Sequence, residues 1–268
     1  MDLEEGQANL LEFKKDNAKE LNQILKSLNF RDYAVIYPFD RGLKITVDDG
    51  TCQQANAYLD SSIFSIFVSR DEGIRIKVPL KTLVEFLNMI DGTSNSVKMT
   101  YSGFHEPLRI LFEENEGLIL RAKIHTLVPE QELDFEFQDE SVIATCMLKT
   151  QLIKDIFKEF DSSSKTLIMK FTPSGISFIT KGDIGRVVVS IPTKSLQMET
   201  MKCEEDNIEF TYRLSFIQRM NSVFSIAEKV VLRLDDRGVL CSQFTIDHGE
   251  NKHSYIEFLT VPDEENIR

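Results

Sequence analysis

Four amphipathic stretches at a repeated spacing limit what this chain can fold into more than any other feature. Within Asn17 to Leu28, the residues Leu21, Ile24, Leu25 and Leu28 recur at i, i+3, i+4 and i+7, and Asn17 stands where a helix N-cap belongs. Leu80, Leu83, Val84, Leu87 and Ile90 make a second stripe. Leu152, Ile153, Ile156, Phe157 and Phe160 make a third within Lys149 to Phe160, and Phe216, Ile217, Met220, Val223 and Phe224 a fourth within Leu214 to Ala227. From Leu21 to Leu152 is 131 positions, and from Leu80 to Leu214 is 134. Repetition over half of a 268-residue chain implies two similar domains rather than a solenoid of short repeats.

Between the helices the vocabulary is that of antiparallel strands. Gly42-Leu43-Lys44-Ile45, Gly73-Ile74-Arg75-Ile76, Gly117-Leu118-Ile119-Leu120, Gly175-Ile176-Ser177-Phe178 and Gly238-Val239-Leu240-Cys241 each set a glycine before an alternating apolar run. Glycine tolerates the backbone of a tight turn, so these read as hairpins, and the class is α+β. Each half runs strand, helix, several hairpins, helix, more strands. The seam falls at Thr126 to Asp139, where Pro129 removes a ladder donor and Glu130, Glu132, Asp134, Glu136 and Asp139 keep the segment wet. Leu133 to Phe137 nevertheless alternates like an edge strand. The expected organisation is one domain over 1–125, a connector over 126–140 and a second domain over 141–268.

A chain that is 42% hydrophobic and 28% charged is globular, and it holds no apolar run long enough to cross a bilayer. Its acidic opening, Met1-Asp2-Leu3-Glu4-Glu5, is unlike a signal peptide. Cys52, Cys146, Cys203 and Cys241 lie far apart with no C-x-x-C, which reads as reduced, mostly buried thiols in an intracellular protein. A net charge of −12 excludes coating nucleic acid with the whole surface.

The polar faces of the four helices run against that total. They carry Lys19, Asn22, Gln23 and Lys26, then Lys81, Glu85 and Asn88, then Lys149, Gln151, Lys154, Asp155 and Lys158, then Ser215, Gln218, Arg219 and Ser222 behind Arg213. Lysine on one helix face ordinarily means solubility. Four neutral-to-basic faces in an acidic protein point to a shared polyanion-facing surface, and the scarcity of aromatics among them to loose phosphate contact without base stacking.

No phosphate loop, G-x-G-x-x-G, G-x-S-x-G or H-E-x-x-H occurs. His105, His125, His248 and His253 are scattered, and the last two sit where a final hairpin turns. Asp134 and Glu136 have the D-x-E spacing of two-metal nucleases, with Asp48-Asp49 and Asp235-Asp236 as the nearest supporting pairs. Those pairs read as turn residues, and Asp134 and Glu136 as a solvated edge. No metal, cofactor or catalytic residue is expected.

The duplicated plan with a helix pair per half resembles a sliding-clamp subunit of the proliferating cell nuclear antigen type. Val128-Pro129-Glu130-Gln131-Glu132 is similar to the I-P-E-Q-E of that superfamily's interdomain connector. Leu133-Asp134-Phe135-Glu136-Phe137 departs from the replicative clamp and resembles the L-D-F-x-F of the Rad-one-type subunit of the nine-one-one DNA-damage checkpoint clamp. Gly42 to Val47, Cys52-Gln53-Gln54-Ala55-Asn56-Ala57-Tyr58, Ile63-Phe64 and Pro262-Asp263-Glu264-Glu265 resemble the same subunit, so the likeness spans the chain.

The resemblance implies a sliding-clamp fold, with antiparallel sheets outside and two helices per domain lining a channel. It also implies a nuclear, non-catalytic subunit of a ring completed by Rad-nine-type and Hus-one-type subunits. A dedicated loader places that ring around double-stranded DNA at damage sites, where it serves checkpoint signalling and repair proteins. The DNA-facing residues are then Lys19, Lys26, Lys81, Lys149, Lys154, Lys158 and Arg219. Edge strands at Leu118–Ile124 and Ile184–Ile191 would join neighbours, with Leu118, Leu120, Ile124, Ile184, Val188 and Ile191 at the contact. A partner groove falls to Phe39, Leu43, Leu127, Val128, Pro129, Val261 and Pro262, although Leu127 stands where the family's connector has glycine, which argues for a different docking motif. A homotrimeric replicative clamp and a 3′–5′ exonuclease are the alternatives.

Overall fold

Asn17 starts the first helix as its side chain predicts. In the computed structural model its Oδ1 accepts from the backbone N–H groups of Lys19 and Glu20 at 3.1 and 3.4 Å, and helix α1 runs Ala18–Ser27. Residues 8–89, 96–113, 119–130, 135, 137–203 and 205–263 are described; Ile90, Leu118, Asp134 and Glu136 lie outside them.

The other helices are α2 (Leu80–Asn88), α3 (Thr150–Lys158) and α4 (Leu214–Gln218). The fourth stripe, expected as one helix to Ala227, is α-helical only over those five residues and continues as a 3-10 turn over Arg219–Ser225. Ser222 Oγ donates to the Arg219 carbonyl at 3.2 Å and Ser225 Oγ to the Ser222 carbonyl at 3.1 Å. Hydroxyls that capture carbonyls three residues back favour the tighter turn. Met220, Val223 and Phe224 stay buried regardless, so the stripe survives the change of pitch.

Strands β1 (Leu11–Lys15), β2 (Tyr33–Phe39), β3 (Gly42–Asp49), β4 (Gln53–Asp60), β5 (Ile66–Ser69), β6 (Ile76–Pro79), β7 (Ser96–Tyr101), β8 (Leu108–Glu113) and β9 (Ile119–Ile124) belong to the first half. The second half contributes β10 (Val142–Lys149), β11 (Thr166–Thr172), β12 (Gly175–Gly182), β13 (Gly185–Pro192), β14 (Met198–Cys203), β15 (Ile208–Arg213), β16 (Lys229–Asp235), β17 (Leu240–Asp247) and β18 (His253–Thr260). Each half is therefore strand, helix, five strands, helix, three strands. The sheet orders repeat with it: β5-β1-β7-β8-β9 matches β14-β10-β16-β17-β18, and β4-β3-β2-β6 matches β13-β12-β11-β15.

Two compact units result. One comprises Met1–Asp48, Asn56–Glu132 and His248–Ser254, the other Asp49–Ala55, Leu133–Asp247 and Tyr255–Arg268. In the first, Leu21, Ile24 and Leu25 of α1 with Leu28 at its C-terminal cap, and Leu80, Leu83, Val84 and Leu87 of α2, are all buried. Each such side chain contributes roughly 1.5–3 kcal/mol when fully buried. In the second, a run of rings ties helix to sheet: Phe157 meets Phe224 edge-on with centroids 4.9 Å apart, Phe224 meets Phe244 at 5.8 Å, and Phe244 meets Phe258 at 6.2 Å.

The same glycine appears at the same place in both halves. A Cβ on Gly42 would lie 2.0 Å from the Leu59 carbonyl oxygen, and one on Gly175 would lie 2.1 Å from that of Ile191. Backbone approaches this close admit no side chain. Gly175→Ala and Gly42→Ala are each expected to lower stability by about 1–3 kcal/mol, measured by urea denaturation. Unchanged midpoints would show that the strands separate there at no cost.

Candidate nucleic-acid interface

Burying one stripe on each helix leaves its opposite side to solvent. In the first unit α1 and α2 lie against each other, and Lys19, Lys26 and Lys81 are exposed on them. Asn22, expected on the polar face, is instead 1% exposed and donates from Nδ2 to Asn88 Oδ1 at 3.0 Å. It helps to align the pair and does not present itself to a ligand. In the second unit α3 lies against the 3-10 turn that follows α4. Lys149 and Lys158 are exposed there and Lys154 is half-buried.

These cations differ in how far they are already satisfied. Among the described residues no carboxylate pairs with Lys19, Lys81 or Lys149. Lys158 Nζ meets Asp155 Oδ1 at 2.7 Å, and Gln151 Nε2 donates to the other oxygen at 3.0 Å. The Lys158 and Gln151 hydrogen bonds hold the Asp155 carboxyl below its ordinary value, so part of the Lys158 charge is spent locally. Arg219 departs furthest from the expectation. Its guanidinium bonds Asp49 at 2.7 Å and Gln53 Oε1 at 3.0 Å and lies 4.6 Å from the Phe216 ring centroid, half-buried. The ion pair makes Arg219 part of the framework of its unit.

The groove residues fall on two units. In the first, the Leu127 N–H bonds the Lys77 carbonyl at 2.8 Å while its side chain is 46% exposed, and Val128 is exposed beside it. Lys77 Nζ reaches Glu130 at 3.2 Å and covers the Tyr33 ring. Pro129 is half-buried, as is Phe39, which stacks edge-on with Tyr58. Leu43 is fully buried: it points to the core side of its strand and is unavailable to a partner. In the second unit Val261 donates to the Cys52 carbonyl at 3.0 Å. Val261 and Pro262 line a depression of about 460 Å³ with Cys52, Arg213 and Phe216.

Of the expected contact residues, Leu120, Ile184 and Val188 are exposed, whereas Ile124 and Ile191 are buried at 6% and 5%. Alternation separates Val188 from Ile191 along β13, whereas Leu120 shares the core-side face of Ile124 and is exposed all the same. Their strands, β9 and β13, each stand at the end of a sheet.

Several ionisable groups among the described residues are held by contacts within the fold. Asp235 is fully buried and accepts from the N–H groups of Arg237 and Val239 and from the Arg237 guanidinium. His248 is held between Glu20 and Ser254. Burial pushes the Cys146 and Cys241 thiols up to about 12, which keeps them protonated and inert. Among the described residues no three His, Cys, Asp or Glu side chains stand together as metal ligands would.

Missed from the sequence is a cationic pattern on the outer sheet faces. Lys44 lies over the rings of Tyr37 and Tyr58, and Arg75 lies 4.0 Å from the Tyr37 centroid. A second set, Lys98, Arg109, Arg121 and Lys123, lines one depression on β7, β8 and β9. Alternation within each strand was the available signal, but strand register supplies the rows.

The pattern of the family described as Repair protein Rad1/Rec1/Rad17 matches residues 10–246. The cell cycle checkpoint protein RAD1 homolog mrt-2 of Caenorhabditis elegans is 47% identical over 265 residues, covering 99% of each chain. Human cell cycle checkpoint protein RAD1 is 30% identical over 257 residues, 93% of this chain and 90% of that one. More distantly, the DNA repair exonuclease REC1 of Mycosarcoma maydis is 21% identical over 179 residues, 55% of this chain and 39% of that one. The solved structure of PCNA from Thermococcus kodakaraensis superposes with a TM-score of 0.77 at 16% identity, covering 94% of this chain and all of that one. The fold is thus that of a sliding clamp.

At such low identity to the solved clamp, residue roles rest on this chain's own contacts. Arg219→Ala and Asp49→Ala are each expected to cost about 1–3 kcal/mol, and the double variant less than their sum, in urea denaturation. An Arg219→Ala protein of unchanged stability would show that the ion pair with Asp49 contributes nothing to the framework of the unit.

Proposed function

Because the chain belongs to the Rad1/Rec1/Rad17 family of repair proteins, we propose that it is a non-catalytic subunit of a checkpoint clamp that encircles double-stranded DNA. The observation that carries this reading is the segregation of charge: a protein of net −12 exposes lysine on the helix faces of both units. Lysine without interleaved aromatics attracts phosphates but fixes neither register nor sequence, which suits a ring that slides. Rad-nine-type and Hus-one-type subunits complete the ring, a dedicated loader places it, and nuclear signalling and repair proteins use it as a scaffold. The outer groove segments, Leu127 to Pro129 on one unit and Val261–Pro262 on the other, offer those proteins exposed or half-buried apolar groups.

A nuclease is the competing reading, favoured by the name of the REC1 relative. Asp134 and Glu136, its candidate metal-holding pair, lie outside the described residues. Replacing both by alanine in the purified protein is expected to change no Mg²⁺-dependent DNA digestion. A digestion that copurifies and disappears with that substitution would contradict the non-catalytic reading.

Lys149, Lys154 and Lys158 carry the DNA-side test. Substituting all three by glutamine in the complex isolated from cells is expected to weaken retention on circular DNA. The slope of log retention against log salt should fall by about one unit per lost phosphate contact, without loss of stability. An unchanged slope would make these lysines merely solvated.

A further inference from the structure

Two strands that end sheets of this chain, β9 and β13, carry positive charge on the outward side. Along β9, Leu120, Ala122 and Ile124 face the core side, and Ile119, Arg121 and Lys123 face out. Register sets Arg121 opposite Leu111 and Lys123 opposite Arg109, and sets Leu111 and Arg109 opposite Lys98 and Thr100. Two parallel rows therefore cross three strands, Lys98-Leu111-Arg121 and Thr100-Arg109-Lys123, around a depression of about 280 Å³. Glu12 pairs with Lys98 and Glu106 with Arg109, whereas Arg121 and Lys123 are exposed with no carboxylate partner among the described residues. Along β13, Val187, Val189 and Ile191 sit opposite Thr180, Phe178 and Ile176 on the core side. Its outward set is Arg186, Val188 and Ser190, with Arg186 opposite Lys181.

We propose that this charge pattern bars β9 from joining β13 of a second copy and selects, at β9, a clamp subunit whose edge strand carries carboxylates at its outward positions. The proposal rests on the ring reading above and names the chemistry of the neighbour. A strand added to β9 must keep its apolar residues on the core side, because a one-residue slip would turn them all to solvent. Outward residues of one edge then stand against outward residues of the other. The strand pairs whose registers are given above all run antiparallel. In that sense, Arg121 opposite Val188 brings Lys123 opposite Arg186, and a shift of two brings Arg121 itself opposite Arg186. The other registers that pair four or more residues set Arg121 opposite Ser190 or opposite Pro192, so that Ile119 or Arg121 stands against Pro192, which has no N–H to give. Like charges directly opposed across a strand pair destabilise it, and open edges otherwise invite such pairing. The exposed apolar groups Ile119, Leu120 and Val188 make that restraint necessary.

The test is charge reversal in the full chain, Arg121→Glu with Lys123→Glu, followed by sedimentation over a range of protein and salt concentrations. Wild type is expected to stay monomeric at low salt. The reversed chain is expected to self-associate there, gaining roughly two- to fivefold in association constant per reversed pair, and to lose the gain as salt screens it. Arg121→Lys with Lys123→Arg should behave as wild type, and adding Val188→Asp to the reversed chain should abolish the gain, which places it at β13. A folded reversed chain no more associated than wild type at low salt overturns the proposal. A wild-type chain that forms a stable trimer alone overturns the mixed-ring reading itself, a separate and recognisable outcome.

Discussion

A β-sheet that ends in an unpaired strand leaves a row of N–H and C=O groups without partners, and this chain has such an end at β9 and another at β13. β9 carries neither proline nor carboxylate, β13 carries its one proline, Pro192, at its last position, and both expose apolar side chains. Edges of this kind belong in an interface. The chain is built as two copies of one plan, whose sheets end in exposed strands and whose helices expose lysines; in the proposed ring the strand ends meet other chains and the lysines meet a polyanion.

The helices and the sheets divide the labour through side-chain parity. A helix that buries Leu21, Ile24, Leu25 and Leu28 must turn Lys19 and Lys26 outward, and a strand that buries Ile124 must turn Lys123 outward. Charge therefore reaches the surface in rows set by packing, without any motif. On the helices, the lysines are exposed or half-buried, and in the proposed clamp they would meet phosphate loosely enough for sliding. On the outer sheet faces, Arg121, Lys123 and Arg186 sit close to open edges, where charge acts on the choice of neighbour.

Much of this was legible in the sequence because it rests on local periodicity. The four stripes, the Asn17 cap and the hairpins at Gly42, Gly175 and Gly238 follow from residues within one or two turns of each other, whereas Gly73 opens no hairpin, since β5 and β6 lie in different sheets, and Gly117 lies outside the described residues. What escaped depends on residues brought together by the fold. Asn22 looks solvent-facing until Asn88 arrives from 66 positions away, and Arg219 looks unpaired until Gln53, 166 positions away, and Asp49 bond it. Leu43, Ile124 and Ile191 face their own cores, which alternation cannot say in advance, since it gives parity but not which parity faces the core. The fourth helix shortened because serine hydroxyls at 222 and 225 compete for its carbonyls, a local effect that hydrophobic spacing alone does not register.

The central claim is that this chain enters a ring with subunits unlike itself. Native mass spectrometry of the complex recovered from cells through a tag on this chain tests it most directly. The account predicts one copy of this chain with two different clamp-like subunits in a single assembly. A ring of three copies of this chain would contradict it.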